Sequence, residues 1–138
     1  MAIDFSLSPE LEEIRNRVRS LIDEVVRPIE KRWDRNDRKQ LIEGIVEMRT
    51  AAQQRGLWLP HMPEEWGGMG LGHVELAMVQ AEAARSSFGP FAINAQAPDE
   101  GNMHTLLHWG TEEQKQKYLK PLCEGRSASC FEIGRAHV

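Results

Sequence analysis

The chain has 138 residues, 41% of them apolar and 28% charged, with a formal net charge of -4. This length supports one domain with a real core, burying roughly 68–70% of its unfolded surface, and the usage is that of a globular protein rather than a disordered one. The acidic balance leaves no basic surplus for neutralising phosphates, which argues against nucleic acid as a partner, and no apolar run approaches the ~20 residues of a membrane span.

From residue 8 to about 33, Leu11, Ile14, Val18, Leu21, Ile22, Val25, Val26, Ile29 and Trp33 recur at threes and fours, the stripe of an amphipathic helix. Ser8 stands where an N-cap belongs and Pro9 at the first helical position. Glu10, Glu12 and Glu13 place negative charge at the positive end of the dipole. Pro28 is expected to kink the last turns, because it removes an amide donor and crowds the preceding turn. A second helix is expected from 38 to 55, with Leu41, Ile42, Ile45, Val46 and Met48 apolar and Gly56 as the left-handed residue that ends it. Residues 57–72 hold Pro60, Pro63, Gly67, Gly68, Gly70 and Gly72, too many breakers for a regular element.

Periodicity returns with Val74, Leu76, Ala77, Met78, Ala81 and Ala84, predicting a third helix to about 86. A short fourth helix is expected after Pro90 and a fifth from 99 to 109, ending at Gly110. Thr111 and Gln114 stand at the offset of a capping box, opening a sixth helix toward Leu122. Residues 128–131 read as the start of a strand with no partner in the sequence. The fold class is therefore all-α, an irregular bundle of about six helices. Cys123 and Cys130 are too few for a disulfide framework and lack partners at zinc-ligand spacing, and Met1 to Ser6 show neither the basic nor the apolar region of an export signal. Reduced thiols and a cytoplasmic setting are the expectation.

Leu57-Trp58-Leu59-Pro60, followed by Pro63-Glu64-Glu65-Trp66-Gly67-Gly68-Met69-Gly70-Leu71, resembles the loop between the second and third helices of acyl-CoA dehydrogenases. Ala97-Pro98-Asp99-Glu100-Gly101-Asn102-Met103 and then the run from Gly110 through Gln114 and Tyr118 to Leu122 resemble the next landmarks of that family in the same order. The resemblance covers residues 1 to 131, and the Ala-Pro-Asp-x-Gly-Asn-Met form is similar to the subgroup of family members 10 and 11.

The resemblance implies an amino-terminal helical domain at 1–127 and the start of a β-domain at 128–131. It implies FAD as cofactor, an acyl-CoA substrate oxidised to enoyl-CoA, an electron-transfer flavoprotein or similar acceptor, and a homo-oligomer when full length. The family's catalytic base lies on a carboxy-terminal domain, so no catalytic residue is expected in this fragment, which alone should be inactive. Ala92, Ile93, Gln96 and Glu100 fall where relatives line the acyl pocket, and Phe131 matches an aromatic residue of a flavin-contacting motif. A polar Gln96 or Glu100 there hints at a substrate other than a plain saturated chain, since an unpaired buried carboxylate is costly. Where relatives continue as aromatic-x-Met-Thr-Glu-Pro, this chain reads Glu132 to Val138. Residues 132–138 are expected to be a non-native tail, because the last six match one reading frame of a common sequencing adapter. The alternatives are a stand-alone helical interaction module, or a fragment of an acyl-CoA oxidase-like or nitroalkane-oxidising flavoenzyme.

Other patterns carry less chemistry. The glycines at 67, 68, 70 and 72 follow no strand and precede no Lys-Ser/Thr pair, so they read as a loop needing positive φ rather than a phosphate cradle. Glu100, His104 and His108 share a helix face, an incipient metal constellation without a third ligand of recognised geometry, and no metal is expected. Glu64 and Glu65 read as surface carboxylates. Trp33, Trp58, Trp66 and Trp109 read as packing in the core and at interdomain seams. Cys130 reads as a buried thiol without an activating histidine.

Overall fold

Ser8 opens the first helix as its sequence requires, the side-chain oxygen accepting from the Leu11 amide at 3.3 Å, and α1 runs Pro9–Leu21. In this computed structural model, which describes residues 6–34 and 36–132, the rod continues through a π-helical turn, Ile22–Val26, into α2, Arg27–Arg32. A kink is expected at Pro28, and just ahead of it the rod carries that π turn. Proline offers no amide, and the Arg27 amide just before it reaches back five residues to the Ile22 carbonyl. The same device recurs at the other end of the chain. There α7, Glu112–Gln114, passes through a π turn, Lys115–Leu119, into α8, Lys120–Cys123; Lys120 bonds to the Lys115 carbonyl and Pro121 follows.

α3, Arg38–Gln54, is capped by Asp37, whose carboxylate accepts from the Gln40 amide at 2.9 Å. Gly44 lets α3 approach α2, for a methyl group there would lie 2.8 Å from Ile29 Cγ2. α4, His73–Ala83, lies along α1 and ends three residues before the expected boundary. There the amides of Arg85 and Ser86 turn to the carbonyls three residues back, Glu82 and Ala83, and the Ser86 hydroxyl donates to Glu30 at 2.6 Å. A single turn, α5 (Gly89–Ala92), and α6 (Asp99–Trp109) follow, separated by a cis Ala97–Pro98 peptide. Thr111 and Gln114 make both bonds of the capping box, at 3.3 and 2.9 Å. All regular structure among the described residues is helical, in six rods plus a single 3-10 turn, Glu64–Trp66, inside the loop where no regular element was expected, and no helix is long and apolar enough to cross a membrane.

The core joins Val18, Leu21, Ile22 and Val26 of the first rod to Met48 and Ala52 of α3, Val79 and Ala83 of α4, and Met103 of α6. Its unusual member is the 57–72 loop, where every residue from Leu57 to Met62 is buried. Buried irregular backbone must find partners. Leu59 donates to Ile93 at 3.0 Å and accepts from Met69 at 3.2 Å, while Gly70 donates to Met62 at 3.0 Å. The four loop glycines serve different needs. Gly67 and Gly70 take positive φ as expected. Gly68 is instead a contact point, its missing Cβ falling 2.0 Å from the Met62 carbonyl oxygen, and Gly72 precedes α4 with φ -70°.

Two side-chain expectations change. Cys130 is exposed and Cys123 is the buried thiol, because residues 128–131 run along the surface and pair with no strand among the described residues. Trp58 packs inside with its indole donating to the Cys123 carbonyl at 2.9 Å, and Trp33 meets Phe88 edge-on at 5.0 Å, but Trp109 is 86% exposed. The expected tail lies outside the described residues except for Glu132, as do residues 1–5.

Candidate functional site

α6 is the element around which the polar buried groups gather. Its first residue, Asp99, is buried; one carboxylate oxygen accepts from Gln96 Nε2 and the other from the Ser129 amide, both at 2.6 Å. Asn102, one turn on, donates to the Ser129 hydroxyl at 2.8 Å. The α6 amino terminus thereby pins the extended segment that leaves α8. Gln96 is itself buried, and its Oε1 has no hydrogen-bond partner among the described residues. A buried carbonyl without a donor forfeits a net 1–3 kcal/mol, by rough reckoning, unless something supplies one.

On the next face of α6, Glu100 and His104 stand one turn apart, and the buried loop brings His61 against them. His61 Nδ1 lies 3.3 Å from His104 Nε2, and His61 Nε2 lies 3.1 Å from the Asn94 carbonyl oxygen. A carbonyl can only accept, so His61 carries its proton on Nε2 and presents a bare Nδ1 to the cluster. Asn94 aims that backbone carbonyl from φ 56°, and its side-chain Nδ2 donates to the Leu122 carbonyl at 3.0 Å. Both Glu100 oxygens accept from Gln80 Nε2 of α4 at 3.2 Å. The potential ligand atoms of His61, Glu100 and His104 all lie within 4.8 Å of one another. Burial pushes the His61 pKa below its usual 6.5, with His104 adding to the lowering and the Asn94 bond and Glu100 opposing it, so the ring is neutral at pH 7.

The helix spacing of Glu100 and His104 was legible, but His108 is not the third member. It is exposed, and its ring lies alongside His104, 6.1 Å away and 12° from parallel. His61, Gln80 and Asn94 went unrecognised; the only available signal was a histidine inside an apolar run, Leu57 to Met62.

Of the four positions compared with an acyl pocket, Ala92 and Ile93 are wholly buried in this domain's own core, Gln96 is buried with a free acceptor, and Glu100 is half-buried. An open cleft of about 600 Å³ lies on the other side of α6, lined by Asn102, Thr105, Leu106, Tyr118, Leu122 and Ser129 among others. Phe131 is 75% exposed. A flavin needs donors for its ring and phosphates besides an apolar flank, and the Phe131 side chain carries no donor. Glu64 and Glu65 are exposed. Burial raises the Cys123 thiol to about 11, so it is held protonated near neutral pH.

Comparison with known proteins gives one family. The acyl-CoA dehydrogenase N-terminal domain matches residues 8–126. Acyl-CoA dehydrogenase family member 10 of Mus musculus is 35% identical over 96% of this chain and 13% of its own length, and family member 11 of Homo sapiens is 40% identical over 63% of this chain and 11% of its own. A solved structure of a candidate acyl-CoA dehydrogenase from Mycobacterium abscessus superposes with a TM-score of 0.74 at 31% identity, covering 88% of this chain and 33% of that one. The chain thus spans about an eighth of the curated mouse relative and a third of the solved one.

Proposed function

The chain belongs to the acyl-CoA dehydrogenase family as an amino-terminal domain, and from that premise we propose that it forms part of the acyl-cavity wall of an FAD-dependent enzyme converting acyl-CoA to enoyl-CoA. The observation that carries this reading is the unbroken family match from 8 to 126, which takes in every helix of the described fold. The reading assigns the proton-abstracting base and most flavin contacts to parts of the enzyme outside this chain, so the domain alone is inactive. Acyl-CoA is the partner it implies, with an electron acceptor such as an electron-transfer flavoprotein.

Within the wall the residues divide by role. Ala92 and Ile93, fixed in the core, give the wall a rigid backing. Gln96 and Glu100 bring polarity to it. A plain alkyl tail laid against them would leave the Gln96 carbonyl without a donor and bring a carboxylate held by one amide against hydrocarbon.

The test is the coding sequence beyond codon 131 and the behaviour of the polypeptide it extends. The expected result is retained FAD whose absorbance bleaches when acyl-CoA is added without oxygen. An extended, folded polypeptide that takes up FAD neither during expression nor on reconstitution would overturn the proposal.

A further inference from the structure

We propose that His61, Glu100 and His104 together bind one divalent transition cation of borderline softness, of which Zn²⁺ suits best, clamping the 57–72 loop to α6. Two neutral imidazoles and a carboxylate are the donor set of zinc, cobalt and nickel sites, whereas Ca²⁺ and Mg²⁺ seek oxygen alone. Ligand atoms 2.0–2.1 Å from a tetrahedral metal lie about 3.3–3.4 Å from each other. His61 Nδ1 and His104 Nε2 are already 3.3 Å apart, the separation of two ligand atoms on one tetrahedral metal. Glu100, half-buried at the end of a flexible side chain, completes a three-ligand face from within 4.8 Å.

The surrounding groups are those a metal site requires. Metal-bound histidines characteristically donate their second nitrogen to a carbonyl or carboxylate, and His61 Nε2 does so to Asn94 at 3.1 Å. Gln80 Nε2 holds both Glu100 oxygens at 3.2 Å. To bind the metal, His104 carries its ring proton on Nδ1, so that its Nε2 lone pair faces the cation beside the bare Nδ1 of His61. Two neutral rings and one carboxylate leave a net charge of +1 on the occupied cluster. Water takes the fourth position, because Glu100 and His104 are only partly covered.

The probe is Co²⁺ titrated into the metal-free chain. One equivalent should give visible absorption several-fold more intense than that of aqueous Co²⁺, and one equivalent of Zn²⁺ should erase it. Glu100→Gln and His104→Gln should each weaken binding at least about tenfold while helical circular dichroism is unchanged, and His108→Gln should leave binding as it was. These half-buried positions carry the test because removing the buried His61 risks the fold. Failure to bind at millimolar Co²⁺ would overturn the site, as would affinity retained in both Glu100→Gln and His104→Gln. So would equal loss in His104→Gln and His108→Gln, the mark of an ordinary surface pair on one helix. None of these outcomes depends on flavin or on turnover.

Discussion

Individual positions differ most where backbone meets backbone. A methyl group at Gly68 would fall 2.0 Å from the Met62 carbonyl oxygen and 2.8 Å from that of Leu59, both in the buried loop. No flexible side chain is there to yield, so Gly68→Ala should destabilise the domain by at least about 2 kcal/mol through overpacking. Gly101 is the opposite case. It lies in the first turn of α6, exposed, and a methyl group added there would meet nothing within 4 Å, so Gly101→Ala should stabilise by about 0.5–1 kcal/mol through lost unfolded-state freedom. Urea unfolding of the two variants beside the parent checks both signs. The sequence already sets Gly68 in a breaker-rich loop and Gly101 inside a helix, but it does not show which of them a methyl group would disturb. What separates them is the fold-back of residues 59–62 onto 68–70, which residue type does not encode.

Elements were legible where a local rule suffices. The capping box at Thr111 and Gln114 is written in residues three apart and forms as written. Thr111→Ala removes the acceptor for the Gln114 amide at the start of the α7–α8 rod, and should cost about 1 kcal/mol in urea or thermal unfolding. Thr111→Ser, which keeps the oxygen, should restore most of it. The π turns were not legible. Apolar spacing by threes and fours tolerates one extra residue in a turn, so the stripe from Leu11 to Ile29 reads the same with or without it. The prolines hold the only hint: Pro28 and Pro121 each withdraw an amide, and in both rods the residue just before reaches back five positions rather than four. The candidate site divides along the same line. Glu100 and His104 share a face by helix spacing alone, whereas His61 stands 43 positions before His104 and reaches the pair through an irregular buried loop.

At the scale of the molecule, the first rod is tied to α4 and the turn after it by a chain of polar contacts. Arg19 pairs with Glu82, Arg85 reaches Asp23 at 3.3 Å, and Glu30 accepts from the Ser86 hydroxyl at 2.6 Å and the Ser87 amide at 3.2 Å. These bonds favour the charged carboxylates. The hydrogen bond and charge of Arg19 hold Glu82 below its ordinary 4.5, and the Ser86 hydroxyl does the same for Glu30, burial opposing in both. Between the lowered folded pKa and the unfolded one, the unfolded chain binds more protons, so stability rises with pH across that interval. The contribution is complete above about pH 4.5 and is lost as pH falls through the folded values. Glu82→Gln should therefore be less stable than the parent at pH 7, and the gap should close as both are taken toward pH 3. Raised salt should shrink the neutral-pH gap, since Arg19 is about half exposed and its field is screened. Urea midpoints across pH 3 to 7 measure this directly. A gap that stayed constant with pH would mean that Glu82 acts through packing of its stem against α1 and not through its charge.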